Sequence, residues 1–277
     1  KDKKIPLLLL NGRITKKSFK RWIRFPKSAK KIFSKFDKSF PSNLQSKKYL
    51  KLLGASKIKY LGNLKFSQME KDQNNLKNDL EKKITSKKVW CAASTHRTEE
   101  RLFGLVHKKL KLKHKKLLTI IIPRHVERTK NIINEMKDLN LKVQIHSSKN
   151  KLHRDTDIYL IDTYGKTKSF FKICKIVFLG GSIVAHGGQN PLEAARYGCK
   201  ILHGPNIWNF REIYDLLNSY KVSCKANNLN QIVNNIDKIL RDKTDFRNIK
   251  YKIKKLGNKI LNSTIKEINF YVNKNES

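Results

Sequence analysis

The chain has 277 residues, with 62 Lys and Arg against 22 Asp and Glu, which gives a formal net charge of +40 at pH 7. Its 39% hydrophobic content excludes a wholly disordered chain and is enough for two domains, or one large domain, with a substantial core. The longest apolar runs, residues 5–10 and 117–122, are far below the ~20 residues needed to span a bilayer, and no signal-peptide pattern is visible.

The positive charge favours polyanionic partners, which include nucleic acid, an anionic membrane and phosphorylated substrates. It does not choose among these classes. Lys, Asn and Ile are abundant along the whole chain, so a general compositional bias explains the excess equally well.

The four cysteines contain no C-x-x-C pair and match no zinc or disulfide framework. We therefore expect buried thiols in a reducing cytosol and no metal site. His107 and His114 fall on one face of a predicted helix without a carboxylate nearby in sequence, which predicts a solvated surface for both.

The first third of the chain contains two predicted strands, residues 5–10 and 57–61. Between them lie a basic amphipathic stretch, residues 15–36, which is broken at Pro26, and a helix over residues 44–53 capped by Ser42 or Asn43. Arg13 and Lys65 follow the strand ends, where open α/β sheets bind ligands. Residues 67–88 are polar and predict a linker with some helical character.

Strands and helices alternate in the rest of the chain, which predicts a doubly wound parallel sheet. The predicted strands are residues 89–93, 117–122, 141–146, 158–161, 176–179, 201–202 and 221–223. The predicted helices are residues 98–113, 126–139, 166–174, 191–197 and 209–219, with further helix after residue 228 and a break over residues 242–247.

A glycine-rich stretch, residues 179–193, runs from the end of a strand to a helix start. Asn190 is predicted as the N-cap, with Pro191 at the first helical position and Glu193 at the third. Bare backbone followed by a helix N-terminus can hold a phosphate, although the same residues can simply turn the chain and cap a helix.

Three further loops follow predicted strands, at residues 94–97, 123–128 and 162–166. Because the strands are parallel, these loops and the glycine-rich stretch are expected on one edge of the sheet, as a nucleotide site requires. Arg124 is either a phosphate ligand or a solvated arginine.

Several short motifs together resemble one family. They are IPLLLLNGR from Ile5, GNLKF from Gly62, ASTH from Ala93, PRHVER from Pro123, DTYG from Asp162, GGS from Gly180, GGQNPLE from Gly187 and NFRE from Asn209. In order and spacing they resemble the 3-deoxy-D-manno-octulosonic acid (Kdo) transferases, inverting GT-B glycosyltransferases that move Kdo from CMP-Kdo to a lipid A precursor.

The resemblance implies an α/β fold of GT-B type, with two Rossmann-like doubly wound domains of which the first is incomplete. Residues 1–84 are then the C-terminal part of the acceptor-binding domain plus a linker, and residues 85–277 the donor-binding domain. The implied CMP-binding residues are Pro123, Arg124, Tyr164, Gly165, Lys166, Asn190, Pro191, Leu192 and Glu193. Lys65 is implied as the transition-state stabiliser, and supporting candidates are Arg13, Ser94, His125, Ser182, Gly187 and Gly188.

The resemblance also implies partners and a location. CMP-Kdo would be the donor, with no cofactor or metal, and a lipid A precursor the acceptor, at the cytoplasmic face of a bacterial inner membrane. The basic residues 16–35 would face anionic lipid, unless they are an ordinary solvated helix face.

The chain departs from the family pattern at two places. Lys166 stands where the family usually has an acidic residue, which leaves backbone contacts at that turn. The family's general base, a glutamate, precedes the segment with which this chain begins, so we expect these residues alone to transfer little Kdo.

Two other functions fit parts of the pattern. One is a GT-B transferase that uses a UDP-sugar. The other is a basic nucleic-acid-binding protein, although the sequence carries no recognisable DNA- or RNA-binding motif.

Overall fold

A computed structural model describes residues 5–68, 76–148, 151–242 and 246–273. The chain forms two compact units, of which unit 1 comprises Lys1–Met69 with Lys254–Ser277 and unit 2 comprises Glu70–Ile253. The first boundary therefore lies between residues 69 and 70, whereas the expected one lay between residues 84 and 85, and the end of the chain belongs to unit 1.

Strands and helices alternate along most of the described residues. They are β1 (Leu8–Gly12), α1 (Lys16–Trp22), α2 (Pro26–Phe33), β2 (Lys38–Pro41), α3 (Leu44–Leu52), α4 (Asn78–Thr85), β3 (Lys88–Thr95), α5 (Glu99–Lys111), β4 (Leu117–Pro123), α6 (Thr129–Lys137), β5 (Val143–Ile145), β6 (Ile158–Leu160), α7 (Thr167–Ile173), β7 (Ile176–Leu179), α8 (Leu192–Arg196), β8 (Lys200–His203), α9 (Arg211–Ser219), β9 (Ser223–Lys225), α10 (Leu229–Arg241) and α11 (Phe246–Asn273).

Unit 1 contains a parallel pair of strands, β1 and β2. The first strand starts at Leu8, three residues later than expected. The strand expected at residues 57–61 was wrong, since only Ile58 bridges to Ser39 there, and residues 38–41, which sequence reasoning did not assign, pair with β1 instead. Because this bridge is isolated, the remaining backbone groups of residues 57–61 do not join the sheet, and no strand forms there.

The core of unit 1 lies under its three short helices. It includes Ala29, Phe33 and Leu50, with the rings of Phe19 and Tyr49 stacked 4.1 Å apart beside it. The cap expected at Asn43 is confirmed, because its side chain accepts a hydrogen bond from Ser46 N. The predicted break of the basic stretch at Pro26 is also confirmed, since α2 begins there.

The last helix, α11, begins in unit 2, and its residues from 254 onward belong to unit 1. Gly257 lies so close to the backbone of Phe66 that a Cβ would overlap it, and Ile260 packs over Gly62. Glu267 forms an ion pair with Lys59. These contacts explain why the C-terminal residues belong to unit 1.

Unit 2 is built around a seven-stranded parallel sheet in the order β5-β6-β4-β3-β7-β8-β9. One face packs against α5 and α10 through Trp90, Phe103 and Ile236 among others. Cys91, which alternates with Trp90, points to the opposite face, where Cys174 and Cys199 are its neighbours. Helices therefore cover both faces of the sheet, which confirms the doubly wound α/β fold.

Most predicted elements of unit 2 are confirmed, with shifted ends. The helix expected from residue 126 begins as a 3-10 turn (Val126–Arg128) before α6. The last strand starts at Ser223 rather than residue 221, because Lys221 has φ +58° and lies in a turn. Helix was expected after residue 228, and α10 and α11 confirm it; the expected break at residues 242–247 falls partly outside the described residues.

The prediction of buried thiols is confirmed for three of the four cysteines, since Cys91, Cys174 and Cys199 are buried and Cys224 is half-buried. Burial raises the pKa of the Cys91 and Cys199 thiols. None of the helices in the described ranges combines the length and apolarity needed to cross a membrane.

The solvated surface expected for His107 and His114 was wrong, because both side chains are buried. The Nδ1 atom of His107 lies 2.8 Å from Thr119 Oγ1, and its Nε2 atom lies 3.3 Å from Asp157 Oδ1. His114 Nε2 lies 2.9 Å from Asp237 Oδ1. The partner carboxylates are 50 and 123 residues away in sequence, so no local pattern predicted them.

His107 makes the stability of the protein depend on pH. Burial lowers its pKa, against the opposing effect of Asp157, so between the folded pKa and 6.5 the unfolded chain holds a proton that the folded chain does not. Stability therefore rises with pH in this window. We expect His107→Gln to reduce the slope of unfolding free energy against pH between 5 and 7 by up to about 1.4 kcal/mol per pH unit, measured by urea unfolding. The exposed His153→Gln should leave the slope unchanged, and an equal slope in H107Q would contradict the assignment.

Candidate functional site

The site lies at the carboxyl edge of the sheet in unit 2. Strands β3, β4, β6 and β7 are parallel and adjacent in the sheet, so the loops that follow them emerge on the same edge. The chain moves from β3 to β4 on one side and later returns to β7 on the other side of β3. Such a switch point leaves a crevice between the two diverging loops, where open α/β sheets bind ligands.

The buried carboxylate of Glu99 connects the loops after β3 and β7. One oxygen accepts hydrogen bonds from His96 N at 3.0 Å and Gly181 N at 2.8 Å. The other accepts from the backbone N–H groups of Ser182, Ile183 and Val184 at 3.2, 3.0 and 3.4 Å. The anion-binding backbone expected in the glycine-rich stretch therefore exists, and at residues 181–184 a side chain of the protein occupies it.

A second buried carboxylate, Glu100, connects the loops after β3 and β4. It accepts hydrogen bonds from Thr95 Oγ1 at 3.0 Å and from Arg128 Nη1 at 2.9 Å. Burial raises its pKa, and the bond from Arg128 opposes that rise. The main chain joins the same two loops, since Arg124 N donates to Thr95 O at 2.9 Å.

The loop after β4 presents its polar side chains outward. Arg124 and His125 are exposed, whereas Pro123 is buried at the end of the strand. The His125 ring lies 6.0 Å from that of His96, measured between centroids. Of the three predicted residues in this loop, Arg124 and His125 have side chains available to a ligand.

The loop after β6 is tied to the loop after β4 by the hydroxyl of Tyr164, which donates to Glu127 Oε1 at 2.8 Å. Gly165 has φ +78°, a conformation that favours glycine, and open space surrounds the position where a Cβ would lie. Lys166 is half-buried and precedes α7. Tyr164 and Gly165 thus form an exposed turn, with the half-buried Lys166 at its end.

The helix start at the end of the glycine-rich stretch differs from the prediction by one residue. Pro191 occupies the N-cap position, α8 begins at Leu192, and Asn190 Oδ1 accepts from Leu192 N at 3.2 Å. The capping box was therefore wrong, because Glu193 forms an ion pair with Lys168 Nζ at 3.4 Å instead. Leu192 and Pro191 are buried, which leaves Asn190 and the half-buried Glu193 to face a ligand. With five residues, α8 contributes a small dipole.

Three supporting candidates shape the loop after β7. Ser182 is buried, and its hydroxyl donates to Leu179 O at 2.6 Å and accepts from Gly204 N at 2.8 Å. Gly187 and Gly188 have φ of +95° and +76°, and a Cβ on Gly187 would overlap Asn209 Nδ2. These residues fix the path of the loop.

The remaining supporting candidate of unit 2, Ser94, lies near the end of β3, where the strand is irregular, with φ +55°. A Cβ on Gly180 would lie 2.5 Å from its carbonyl oxygen. The loops after β3 and β7 therefore approach each other closely here, which requires glycine at position 180.

Arg13 and Lys65 belong to unit 1, where both are exposed. Asn11 Oδ1 accepts from Leu64 N at 3.1 Å, which holds the end of β1 next to the 3-10 turn Leu64–Ser67. Asn63 Oδ1 accepts from Lys65 N at 2.9 Å. The structure thus places the two basic residues on neighbouring segments of unit 1, although the strand that was expected before Lys65 does not form.

Sequence reasoning missed Glu99, Glu100, His96 and His186 as site residues. The signal for the two glutamates was present, since two adjacent acids open α5 directly after a strand and a short loop. Acids in a first helical turn are usually explained by the helix dipole, and their partners are up to 85 residues away in sequence. Within the described residues, no group of three or more His, Cys, Asp and Glu side chains is arranged to hold a metal ion.

Comparison with known proteins relates both units to one family. The family model for 3-deoxy-D-manno-octulosonic-acid transferase (kdotransferase) matches residues 1–68. A 3-deoxy-D-manno-octulosonic acid transferase of Rickettsia typhi is 33% identical over 239 residues, which cover 80% of this chain and 52% of that protein. A probable mitochondrial 3-deoxy-D-manno-octulosonic acid transferase of Arabidopsis thaliana is 34% identical over 218 residues, 74% of this chain and 48% of that protein.

Solved structures support the same relation and the GT-B fold class. The C-terminal CMP-Kdo binding domain of WaaA from Acinetobacter baumannii superposes with a TM-score of 0.58 at 25% identity, covering 66% of this chain and 94% of that domain. An S. aureus MnaA–UDP structure shares the fold, with a TM-score of 0.52 at 13% identity over 98% of this chain and 71% of that one. The chain spans about half the length of the curated relatives it matches.

The Glu99 network predicts a specific mutational effect. In Glu99→Gln an amide NH2 replaces one oxygen and faces backbone donors, so buried N–H groups lose their acceptor. We expect the free energy of unfolding in urea to fall by roughly 2–4 kcal/mol and the amides of residues 181–184 to exchange faster with solvent. The exposed Glu127→Gln on the same edge is the control, and an E99Q protein as stable and as protected as E127Q would contradict the role of Glu99.

Proposed function

Since this chain belongs to the Kdo transferase family, we propose that it serves the transfer of Kdo from CMP-Kdo to a lipid A precursor in lipopolysaccharide biosynthesis. Unit 2 is the donor-binding part, and unit 1 is part of the acceptor-binding domain. The observation that carries the proposal is the convergence of four polar loops on one sheet edge, in a chain of which 66% superposes on a CMP-Kdo binding domain.

The cytidylate would lie at the carboxyl edge of unit 2. Arg124 supplies a guanidinium for the phosphate, and the exposed turn Tyr164 to Lys166 and the amide of Asn190 offer polar contacts around it. Glu193 is placed to accept from a base or ribose hydroxyl, in exchange for its ion pair with Lys168. Pro123, Pro191 and Leu192 are buried and contribute through the backbone path.

The chemistry explains why cations are needed. As CMP departs, negative charge grows on the phosphate and the sugar becomes oxocarbenium-like. Preorganised cations stabilise that charge without reorganisation, and Lys65 in unit 1 is proposed for this role. Because the leaving group is a monophosphate, we propose that transfer needs no metal cofactor.

The acceptor side of the proposal rests on the surface of unit 1. The segment of residues 16–35, which contains helices α1 and α2, carries nine basic and no acidic side chains. Ile23, Phe25 and Ile32 are exposed among them, at 48%, 67% and 45%. Apolar side chains surrounded by Lys and Arg suit the interface of an anionic membrane, and we propose the cytoplasmic face of an inner membrane as the location.

The donor site can be tested by nucleotide binding. We expect CMP to bind with higher affinity than UDP or UMP in calorimetry, and Arg124→Ala to weaken CMP binding at least about tenfold because it removes a charge-assisted contact to the phosphate. Arg101→Ala, on the outer side of α5, is the matched control and should bind CMP like the parent chain. Tighter binding of UDP than CMP would favour a UDP-sugar transferase, and steep salt-dependent RNA binding without any response to CMP would favour a nucleic-acid binder.

The membrane surface can be tested with vesicles. We expect the chain to bind vesicles containing phosphatidylglycerol better than pure phosphatidylcholine vesicles. Reversal of Lys20, Lys27 and Lys31 to Glu should reduce binding to the anionic vesicles at least about tenfold, since each lysine near the surface contributes about 1 kcal/mol. Reversal of Lys47, Lys48 and Lys51 on α3 changes the net charge equally and is the control. Equal losses in both triple variants would show a non-specific charge effect and overturn the proposal for α1 and α2.

A further inference from the structure

Three histidines meet at the switch point of unit 2, each from a different loop. His96 follows β3, His125 follows β4 and His186 follows β7. The ring centroids of His96 and His186 lie 4.2 Å apart, and those of His96 and His125 lie 6.0 Å apart. His96 is half-buried, whereas His125 and His186 are exposed, so a small ligand can reach the cluster.

Two arginines and three carboxylates lie near this histidine cluster. Arg124 and Arg128 are close enough to disfavour a proton on His96. The nearby carboxylates have other partners: Glu99 binds backbone N–H groups, Glu100 binds Thr95 and Arg128, and Glu127 accepts from Tyr164. The cluster therefore combines five basic side chains with acids whose oxygens already bind elsewhere.

Gln189 suits His96 in either protonation state. Its Nε2 lies 3.3 Å from His96 Nε2, so its amide donates to the neutral imidazole. A half-turn of the same amide presents Oε1, which accepts from the protonated ring. The main-chain carbonyl of Gln189 accepts a hydrogen bond from Tyr214 Oη at 3.0 Å, which holds the loop in place. The side chain of Gln189 can therefore respond to a change of charge on His96 without a change in the path of the loop.

We propose that His96, His125 and His186 form a proton-coupled oxyanion site, in which a bound phosphate or carboxylate is balanced by a proton taken up on His96. The inference rests on the proposed function in one respect, because a CMP-sugar acid carries both kinds of oxyanion next to the bond that breaks. The backbone N–H groups of residues 181–184 are occupied by Glu99, so the oxyanion needs donors from side chains at this edge.

The charge balance sets the pH dependence. Burial, then His186, His125, Arg124 and Arg128, lower the pKa of His96 to about 4 in the unliganded protein. An oxyanion within hydrogen-bonding distance favours the protonated ring and raises that pKa. Return to the ordinary value of 6.5 strengthens binding about fourfold at pH 6 and hardly at all at pH 8. Binding therefore weakens as the pH rises through the pKa of the complex.

The test is a histidine NMR titration of the whole chain between pH 5.5 and 8, without ligand and with saturating inorganic phosphate, free Kdo, CMP or cytidine. We expect the His96 Cε1–H signal to stay flat without ligand and to titrate within this range with phosphate, with Kdo or with both. A response to phosphate alone identifies the phosphate as the source of the charge, and a response to Kdo alone identifies the sugar carboxylate. A signal that stays flat with every oxyanion, or that responds equally to cytidine, overturns the proposal.

Affinity measurements give a second readout. The ratio of CMP affinities between the parent chain and His96→Gln should change about fourfold between pH 6 and pH 8, and ionisation of the ligand cancels in this ratio. His153 is an exposed histidine elsewhere in unit 2, and the ratio of CMP affinities between the parent chain and His153→Gln should be the same at pH 6 and pH 8. A ratio for H96Q that does not vary with pH overturns the inference.

The two proposals fail in different ways. Tight CMP binding with no titration of His96 removes the proton-coupled site and leaves the proposed function standing. Titration of His96 with inorganic phosphate, together with CMP binding no tighter than phosphate binding, supports the oxyanion site and removes the nucleotide specificity on which the proposed function depends.

Discussion

The carboxylate of Glu99 is the interaction on which the site depends. It lies fully buried between two loops that leave adjacent strands, and it accepts hydrogen bonds from five backbone N–H groups. Four of these donors are consecutive, at residues 181–184, so the turn after β7 would otherwise bury several N–H groups without partners. Unpaired buried donors cost about 1–3 kcal/mol each, which is why one carboxylate determines the path of this loop.

This arrangement keeps the buried carboxylates of the site away from the surface that would face a ligand. Glu99 and Glu100 are buried and connect the loops after β3, β4 and β7. The side chains that remain outward include the basic or neutral Arg124, His125, His186 and Asn190, whereas the acidic Glu127 and Glu193 are paired with Tyr164 and Lys168. The edge therefore presents positive charge to an anion, while its own carboxylates are compensated from within. The high net charge of the chain adds to this field but does not create the specific positions.

Hydrophobic patterning predicted the sheet of unit 2 well, because strands such as β4 and β7 are continuous apolar runs buried on both faces. It also predicted which loops form the site, because the loops that follow parallel strands lie on the same edge of the sheet. Patterning failed where partners are distant in sequence. His107 and His114 looked solvated because Asp157 and Asp237 are far away along the chain, and Glu99 was not identified because most of its backbone partners are also distant. In unit 1, the choice of residues 38–41 over 57–61 for pairing depended on tertiary contacts that local propensity does not contain.

The proposed function requires that the carboxyl edge of the unit 2 sheet binds cytidylate. The most direct measurement is a map of backbone amide chemical shifts of the whole chain on titration with CMP. We expect the largest changes at the ends of β3, β4, β6 and β7 and in the loops that follow them, at residues 94–98, 124–128, 162–167 and 185–193. Changes centred on the opposite edge, at residues 112–116, 138–142 and 197–200, or changes spread over the lysines of both units without a focus, would contradict it.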